Sequence, residues 1–247
     1  MKSLIGTGAL AVALLLTGCG GEDGNKNGSS GGAPVAAVPP PQGGDWTQVV
    51  SKTPQGGFRM GNPNAPVKLV EYASVTCPHC AEFEEQGVPT LVNDYVKTGR
   101  VSWEFRHFML FPTDPAISSL VRCQGPEPFF ALTEQLYADQ RNWVGKVQAL
   151  PQSELQRLQT LPPQQQAAEL VRTAGIDQFF RQRGIPQAKI DACLADPQGL
   201  QELVALQNLA TTEGVHGTPT FFINGAIVED AATWATLQPA LRKAVGQ

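Results

Sequence analysis

Two cysteines three positions apart, Cys77 and Cys80, have the clearest capacity for chemistry in this sequence of 247 residues. Cysteine thiolates attack disulfides and also bind metal ions, so a C-x-x-C pair is compatible with either use. A structural zinc site normally takes four ligands, and the more distant cysteines, Cys123 and Cys193, form no second C-x-x-C pair. The lack of a second pair argues against a zinc site, so no metal or cofactor is expected, and the segments on either side of the pair decide in favour of thiol–disulfide exchange.

The residues around the pair predict a strand that leads into a helix. Val67–Ala73 is a short, mostly apolar segment typical of a buried strand. Pro78 suits the first turn of a helix, which places Cys77 at the helix N-terminus. The helix N-terminus and the imidazole of His79 both favour a thiolate at Cys77. Cys77 is therefore predicted to be the exposed nucleophile, and Cys80 the buried resolving cysteine.

Three separated motifs resemble the DsbA family of periplasmic dithiol oxidases. The tetrapeptide Cys77-Pro78-His79-Cys80 is similar to the active site of that family, and Glu71 lies six positions before Cys77, where the family has a buried acid. Residues 217–222 resemble its cis-proline loop, with Pro219, and the strand that follows. The resemblance covers residues 58–246. It implies an α/β, thioredoxin-like fold with an inserted helical domain.

The resemblance also implies roles for residues outside the cysteine pair. Glu71 would be a proton relay for Cys80, and the alternative is a solvent-exposed glutamate on an edge strand. A cis peptide bond at Pro219 would turn the backbone of Thr218 toward the sulfurs, where an extended substrate can pair with it. The archetypal oxidase has valine in place of Thr218, whereas related disulfide isomerases have threonine. The direction of catalysis is therefore open.

Three functions are compatible with these motifs. The first is an oxidase that donates the Cys77–Cys80 disulfide to exported proteins. The second is an isomerase or reductase that uses the same pair, and the third is a copper-handling or other binding lipoprotein. Isomerases of this type usually have an added dimerisation domain, and no residues after 46 are left over for one, which favours the oxidase. Copper handling calls for a further ligand, and Met1, Met60 and Met109 form no cluster in the sequence.

The N-terminus predicts export and a lipid anchor. Residues 1–18 contain an apolar run from Leu4 to Leu16, which is typical of a signal peptide and too short to cross a bilayer. Cys19 follows Leu-Thr-Gly, which resembles the lipobox of bacterial lipoproteins and implies lipidation of Cys19. The alternative is an ordinary secretory signal with an unrelated cysteine. Residues 19–45 are rich in Gly, Ser and Pro and predict a flexible tether. We therefore expect a membrane-anchored lipoprotein of the bacterial envelope that faces the periplasm.

The remaining domain boundaries follow from the pattern of helix signals. The thioredoxin-like parts are predicted at 46–111 and 214–247, with a helical insertion at 112–213 between them. Asp114-Pro115 and Asp196-Pro197 are typical of an N-cap followed by the first helical residue.

The insertion contains the last two cysteines, Cys123 and Cys193. With Cys19 assigned to the lipid and the C-x-x-C cysteines to each other, these two are expected to form a structural disulfide outside the cytoplasm. The alternative is a pair of buried free thiols.

The charge of the chain excludes one class of partner. A net charge of −4 and the absence of Lys/Arg runs argue against nucleic acid. The expected partners are exported proteins with cysteines, a membrane redox partner, and the lipid bilayer through acylated Cys19.

Overall fold

A mixed six-stranded sheet organises residues 34–247, the part of the chain that the computed structural model describes; Gln42 is described by its backbone alone. The predicted signal peptide, Cys19 and tether residues 20–33 lie outside the described residues. The order across the sheet is β1-β2-β4-β3-β5-β6, in which β3 and β4 are parallel and the other neighbouring pairs are antiparallel. The strands are β1 (Val50–Lys52), β2 (Phe58–Met60), β3 (Val67–Ala73), β4 (Val101–His107), β5 (Thr220–Ile223) and β6 (Ala226–Ile227).

The helices follow the arrangement that the sequence predicted. The first two, α1 and α2, connect β3 to β4, eight helices from α3 to α10 lie between β4 and β5, and α11 follows the sheet. Among the described residues, no helix combines the length and apolar character needed to cross a bilayer. The α-helices are α1 (Pro78–Gln86), α2 (Val88–Thr90), α3 (Asp114–Arg122), α4 (Phe129–Ala138), α5 (Gln140–Gln148), α6 (Gln152–Gln159), α7 (Pro163–Ala174), α8 (Ile176–Gln182), α9 (Gln187–Ala195), α10 (Pro197–Thr212) and α11 (Trp234–Ala244). A π-helix, Leu91–Val96, continues from α2 toward β4, and two short 3-10 helices, Pro41–Gly43 and Trp46–Gln48, precede β1.

The expected α/β, thioredoxin-like fold with a helical insertion is confirmed by this topology. The parallel unit β3-α1-α2-β4 is extended on one side by the antiparallel pair β5-β6. Asn224 and Gly225, which have φ angles of 52° and 82°, make the turn between these two strands. Both positive φ values suit a type I′ hairpin turn.

The core joins the sheet to the insertion through aromatic side chains. Every residue of β4 is buried, because the strand lies inside the sheet and packs against α4 and α10. Trp103 packs on Phe130 with ring centroids 4.7 Å apart, and Phe105 packs edge-on against Phe129. The insertion is therefore packed on the strand next to β3, from whose end the cysteine motif follows.

Residues before the predicted boundary at residue 46 also make hydrogen bonds to the fold. The backbone N–H of Val35 donates to the carbonyl of Val245 at 3.0 Å, and that of Val38 donates to Thr98 at 2.9 Å. The indole of buried Trp46 donates to the carbonyl of Val38 at 2.7 Å. The described end of the predicted tether is thus hydrogen-bonded to the rest of the fold.

Two features of the insertion involve residues that the sequence analysis singled out. Cys123 and Cys193 are joined by a disulfide between the C-terminus of α3 and α9, with Cα atoms 5.8 Å apart. Asp196 caps α10 by accepting a hydrogen bond from the backbone N–H of Gln198 at 3.0 Å. The predicted N-cap at Asp196 is confirmed, since Pro197 is the first residue of the helix.

Candidate redox site

The cysteine pair lies where β3 passes into α1, at the carboxyl end of the parallel strands. Cys77 is the N-cap residue of α1, and Pro78 is its first helical residue, as the sequence predicted. Both cysteines are free thiols and both are buried: Cys77 is 3% exposed, and Cys80 has no exposed surface. The expected exposure of Cys77 is therefore corrected. A loop covers it: the Cys77 Sγ lies 3.3 Å from the carbonyl oxygen of Thr218.

The two thiols have opposite electrostatic environments. The pKa of Cys77 is lowered to about 6, first by a hydrogen bond from Cys80 and then by the Thr218 side chain and the backbone N–H groups of Cys80 and His79. The pKa of Cys80 is raised well above its usual value by burial and by donating to Cys77. At neutral pH the reduced pair therefore consists of a thiolate at Cys77 and a thiol at Cys80.

The imidazole of His79 is not the group that reaches Cys77. Its side chain is 66% exposed, and its Nδ1 lies 3.5 Å from Oε2 of Glu82. The contribution of His79 to the thiolate comes through its backbone N–H. The expectation that the imidazole supplies this stabilisation is therefore corrected: the side chain points to solvent, while the helix N-terminus supplies the donors.

Glu71 is buried in the interior of the sheet. It is 1% exposed, since β3 has neighbours on both sides, and this excludes the alternative of a solvent-exposed edge glutamate. Burial raises the pKa of Glu71 well above its usual value, and nearby Glu84 raises it further. Glu71 also raises the pKa of Cys80, which places its carboxyl within electrostatic range of the resolving cysteine.

The loop before β5 brings Thr218 and Pro219 to the sulfurs. The Thr218–Pro219 peptide bond is cis. β5 pairs antiparallel with β3, with Thr220 opposite Tyr72, so the start of β5 lies beside the carboxyl end of β3. The Thr218 hydroxyl lowers the pKa of both cysteines. Its oxygen is buried and has no well-formed hydrogen bond to any of residues 34–247.

Asp114 organises the segment before Cys77, a role that the sequence analysis did not identify. It is fully buried at the start of α3, and its carboxylate accepts from the hydroxyls of Ser74 at 2.9 Å and Thr76 at 2.7 Å. It also accepts from the backbone N–H groups of Leu110 at 2.7 Å and Phe111 at 3.1 Å. The predicted N-cap role of Asp114 was therefore wrong. Asp114 is instead the first residue of α3, and its side chain turns back to the preceding loop.

The insertion also holds the cysteine loop from its other helices. The Tyr137 hydroxyl in α4 donates to the carbonyl of Ser74 at 3.0 Å. The amide of Gln140 in α5 donates to the carbonyls of Val75 and Cys77, both at 2.9 Å. Tyr137 belongs to an apolar helical stripe, but nothing in the sequence near Gln140 distinguishes it from a surface glutamine.

This arrangement defines a class of protein. A buried thiolate and thiol at a strand-to-helix junction, facing a cis-proline loop in a sheet with this topology, is the site of a thioredoxin-fold thiol–disulfide oxidoreductase.

Comparisons with known proteins agree with this class. The family model described as Thioredoxin matches residues 53–243. A Rickettsia bellii protein named "Putative protein-disulfide oxidoreductase" is 26% identical over 200 residues, covering 80% of this chain and 68% of the relative. A similarly named protein of Rickettsia prowazekii is 27% identical and covered over 60% of its length.

Solved structures show the same relationship. The protein-disulfide isomerase from Novosphingobium aromaticivorans has a TM-score of 0.74 at 28% identity, covering 76% of this chain and 97% of that one. The Wolbachia pipientis alpha-DsbA1 has a TM-score of 0.60 at 22% identity, covering 79% and 94%, and shows the shared fold. The chain belongs to the thioredoxin family, and within it to the DsbA-like thiol–disulfide oxidoreductases.

Proposed function

We propose that the protein is a dithiol oxidase that forms disulfides in exported proteins by transferring its Cys77–Cys80 disulfide to them. One observation supports this direction above the others: the pKa of Cys77 is lowered to about 6. A stabilised thiolate favours the reduced form of the pair, and a stable reduced form makes the disulfide an oxidant. Several donors at the start of α1 act on the Cys77 sulfur, so the stabilisation is built into the fold.

The proposed reaction is a two-electron exchange in two steps. A substrate thiolate attacks Sγ of Cys77 in the enzyme disulfide, forming a mixed disulfide, and the sulfur of Cys80 leaves and takes up a proton. A second substrate thiolate then attacks the substrate sulfur of the mixed disulfide and releases Cys77 as a thiolate. The substrate ends with a disulfide and the enzyme with two reduced cysteines, which a membrane redox partner would re-oxidise.

Glu71 and the cis-proline loop have supporting roles in this proposal. The carboxyl of Glu71 has a raised pKa and acts electrostatically on Cys80, so it can hold the proton that the leaving sulfur needs. The carbonyl oxygen of Thr218 lies against the Cys77 sulfur, where an extended substrate can pair with the Thr218 backbone by strand addition. Substrates are therefore proposed to be polypeptides with accessible cysteines, bound through their backbone.

The proposed location is the bacterial envelope, with Cys19 as the lipid anchor. The sequence supports this through the apolar run before Leu-Thr-Gly-Cys19. The test is Cys19→Ser in the full chain: we expect loss of lipid labelling and release of the protein from the membrane fraction. Continued labelling and membrane retention of that variant would contradict the anchor.

The second candidate is an isomerase or reductase that uses the same pair. Thr218 supports it, because related disulfide isomerases have threonine at this position, and a structurally similar protein is named a protein-disulfide isomerase.

The equilibrium potential of Cys77–Cys80 in glutathione redox buffers separates an oxidase from a reductase. An oxidase should lie above about −180 mV, whereas a thioredoxin-like reductant lies near about −270 mV. The Cys80→Ser variant is the control, since it forms mixed disulfides but no internal disulfide. A potential in the range of thioredoxin would reject the oxidase.

A further inference from the structure

An acidic cleft of about 890 Å³ runs along α1 from Pro78, the residue after Cys77, and is bounded on its other side by α4 and the start of α5. The first residues of α1, Pro78 and His79, form the end next to Cys77. Arg141 is the only lysine or arginine among the lining residues. Four carboxylate side chains line the cleft: Glu82, Glu84 and Glu85 of α1 and Glu134 of α4.

Glu84 lacks a partner in this cleft. It is 8% exposed, and within residues 34–247 its carboxylate makes no hydrogen bond and no ion pair. Burial and the negative charge of Glu134 raise its pKa to about 8. A carboxyl with so little access to water resists ionisation, and a cationic group in the cleft would favour its charged form by pairing with it. The cleft is thus complementary to a positive charge.

The cleft suits a positively charged side chain better than a metal ion. Within the described part of the chain, no group of three or more His, Cys, Asp or Glu side chains is placed to hold a metal. The carboxylates are instead distributed along the helix, from Glu82 near the cysteines to Glu85 and across to Glu134. This distribution suits a long side chain that ends in a single charge, with its apolar stem lying along the cleft wall.

We propose that the cleft binds a lysine or arginine side chain of the substrate polypeptide, so that the enzyme prefers cysteines that have a basic residue nearby. This inference rests on the proposed function, because it needs a polypeptide attached to Cys77. Thr218 does not line the cleft, so a substrate strand paired with that loop leaves its other flank free to pass over Pro78 and His79.

The distances fit a basic residue close to the reacting cysteine. Cys77 and Glu84 are seven positions apart, which corresponds to about 10 Å along a helix. A lysine two positions from the substrate cysteine can reach that far, since two extended residues span roughly 7 Å and the side chain adds roughly 6 Å.

The test uses dithiol peptides that differ at one position, two residues before or two residues after the reacting cysteine. That position is Lys, Arg, Gln or Glu, and the second-order rate constant for reduction of the Cys77–Cys80 disulfide is measured by acid quench and alkylation. Each rate is divided by the rate of the same peptide with oxidised glutathione, which removes the effect of the basic residue on its own thiol. In at least one placement we expect the Lys and Arg peptides to react about tenfold faster than the Gln peptide at low salt. At about 0.5 M salt the preference should fall to within about twofold.

Four variants assign the preference to the cleft. In Glu84→Gln and Glu134→Gln the Lys/Gln ratio should fall to within about twofold, whereas Arg141→Gln should raise it. The matched control is Glu127→Gln, which removes an exposed carboxylate that does not line the cleft and should keep the wild-type ratio. Glu134 is itself exposed, so its variant tests the cleft without disturbing a buried residue.

Two outcomes would overturn the inference: a wild-type Lys/Gln ratio near one in both placements, or a ratio that both Glu84→Gln and Glu134→Gln leave unchanged. Failure of the proposed function gives a different result. In that case the oxidised enzyme would not be reduced by the neutral Gln peptide either, whatever the charge of the cleft.

Discussion

The indole Nε1 of Trp103 donates a hydrogen bond of 3.0 Å to Oε2 of Glu71. Trp103 lies on β4 and Glu71 on the parallel neighbour β3, and both are buried. This bond is the one hydrogen bond that the structure shows for the Glu71 side chain within residues 34–247, and it lowers the pKa of that carboxyl less than burial raises it. Burial therefore favours the protonated form of Glu71, which can exchange a proton with a neighbouring group.

The first prediction concerns Glu71→Gln. The glutamine oxygen can still accept from Trp103, but the side chain can no longer release a proton, so oxidation of a dithiol peptide should slow by about tenfold or more. Its effect on stability should depend on pH. The folded-state pKa of Glu71 is raised, so folding is weakened as pH rises above the unfolded value of about 4.3. Urea unfolding should therefore show the variant gaining stability over wild type at pH 8 but not at pH 4.

Trp103→Phe is the control for this prediction, because it removes the donor and keeps the carboxyl. An equal oxidation rate in Glu71→Gln and wild type would reject the proton relay. A stability difference that does not change with pH would show that the pKa of Glu71 is not raised in the folded protein.

The second prediction concerns the pH dependence of Cys77. Iodoacetamide should label reduced Cys77 with an apparent pKa near 6 and leave Cys80 unlabelled, because the thiolate forms only at Cys77. The folded pKa lies below the unfolded one, so the stabilisation of the reduced form grows as pH rises above about 6 and is lost as pH falls through that value. Peptide mass mapping after timed alkylation at a series of pH values measures the labelling of each cysteine. Equal labelling of the two cysteines, or labelling only above pH 8, would contradict the assignment.

The sequence specified the centre of the site well, because strong local signals coincide there. The mostly apolar segment Val67–Ala73 predicts the strand, and Pro78 predicts that α1 starts at the residue after Cys77. The order of β5 and β6 follows from the Asn224-Gly225 turn. Each of these features is encoded by residues adjacent in the chain, so each could be predicted without the fold.

The features that the sequence analysis missed depend on contacts between distant segments. The position of Val35 depends on the carbonyl of Val245, more than 200 positions away, which accepts a hydrogen bond from its N–H. The burial of Cys77 depends on the loop at Thr218, and the outward orientation of the His79 side chain on the packing of α1. Such pairings arise from the tertiary arrangement, and a residue type alone does not reveal them.

The third prediction concerns the contacts that hold the cysteine loop. Asp114→Asn keeps the shape of the side chain but removes the negative charge that strengthens its four hydrogen bonds in the buried site. The free energy of unfolding should fall by about 2–3 kcal/mol, as expected for a buried charged acceptor. Urea denaturation measures this loss. Glu127→Gln, which alters an exposed carboxylate, should change stability by no more than about 0.5 kcal/mol.

The same variant should loosen the segment that leads to Cys77, since Asp114 accepts from both Ser74 and Thr76. Amide hydrogen exchange of residues 74–77 should therefore accelerate in Asp114→Asn beyond the change seen in β3. Unaltered stability and unaltered exchange would show that Asp114 does not hold the loop.

The fourth prediction concerns Thr218→Val, which exchanges a hydroxyl for a methyl group of nearly the same volume. The Thr218 hydroxyl is buried beside both sulfurs and lowers the pKa of Cys77, so valine should raise that pKa. The Cys77–Cys80 potential should shift by tens of millivolts, where 30 mV corresponds to about 1.4 kcal/mol for this two-electron couple. Glutathione equilibration measures the potential, and thiolate absorbance measures the pKa.

The lifetime of mixed disulfides should change in the same variant, because the Thr218 backbone lies against the Cys77 sulfur to which a substrate would be joined. Trapping experiments with Cys80→Ser in both backgrounds measure this lifetime without resolution by Cys80. Thr220→Val, two positions further along, is the matched control: its hydroxyl donates to the carbonyl of Gly217 at 2.7 Å and not to a sulfur. If Thr218→Val matched wild type in potential, Cys77 pKa and mixed-disulfide lifetime, the hydroxyl would have no part in setting the redox properties of the pair. If Thr220→Val shifted the potential as far as Thr218→Val, the effect would belong to the conformation of the loop and not to the Thr218 hydroxyl.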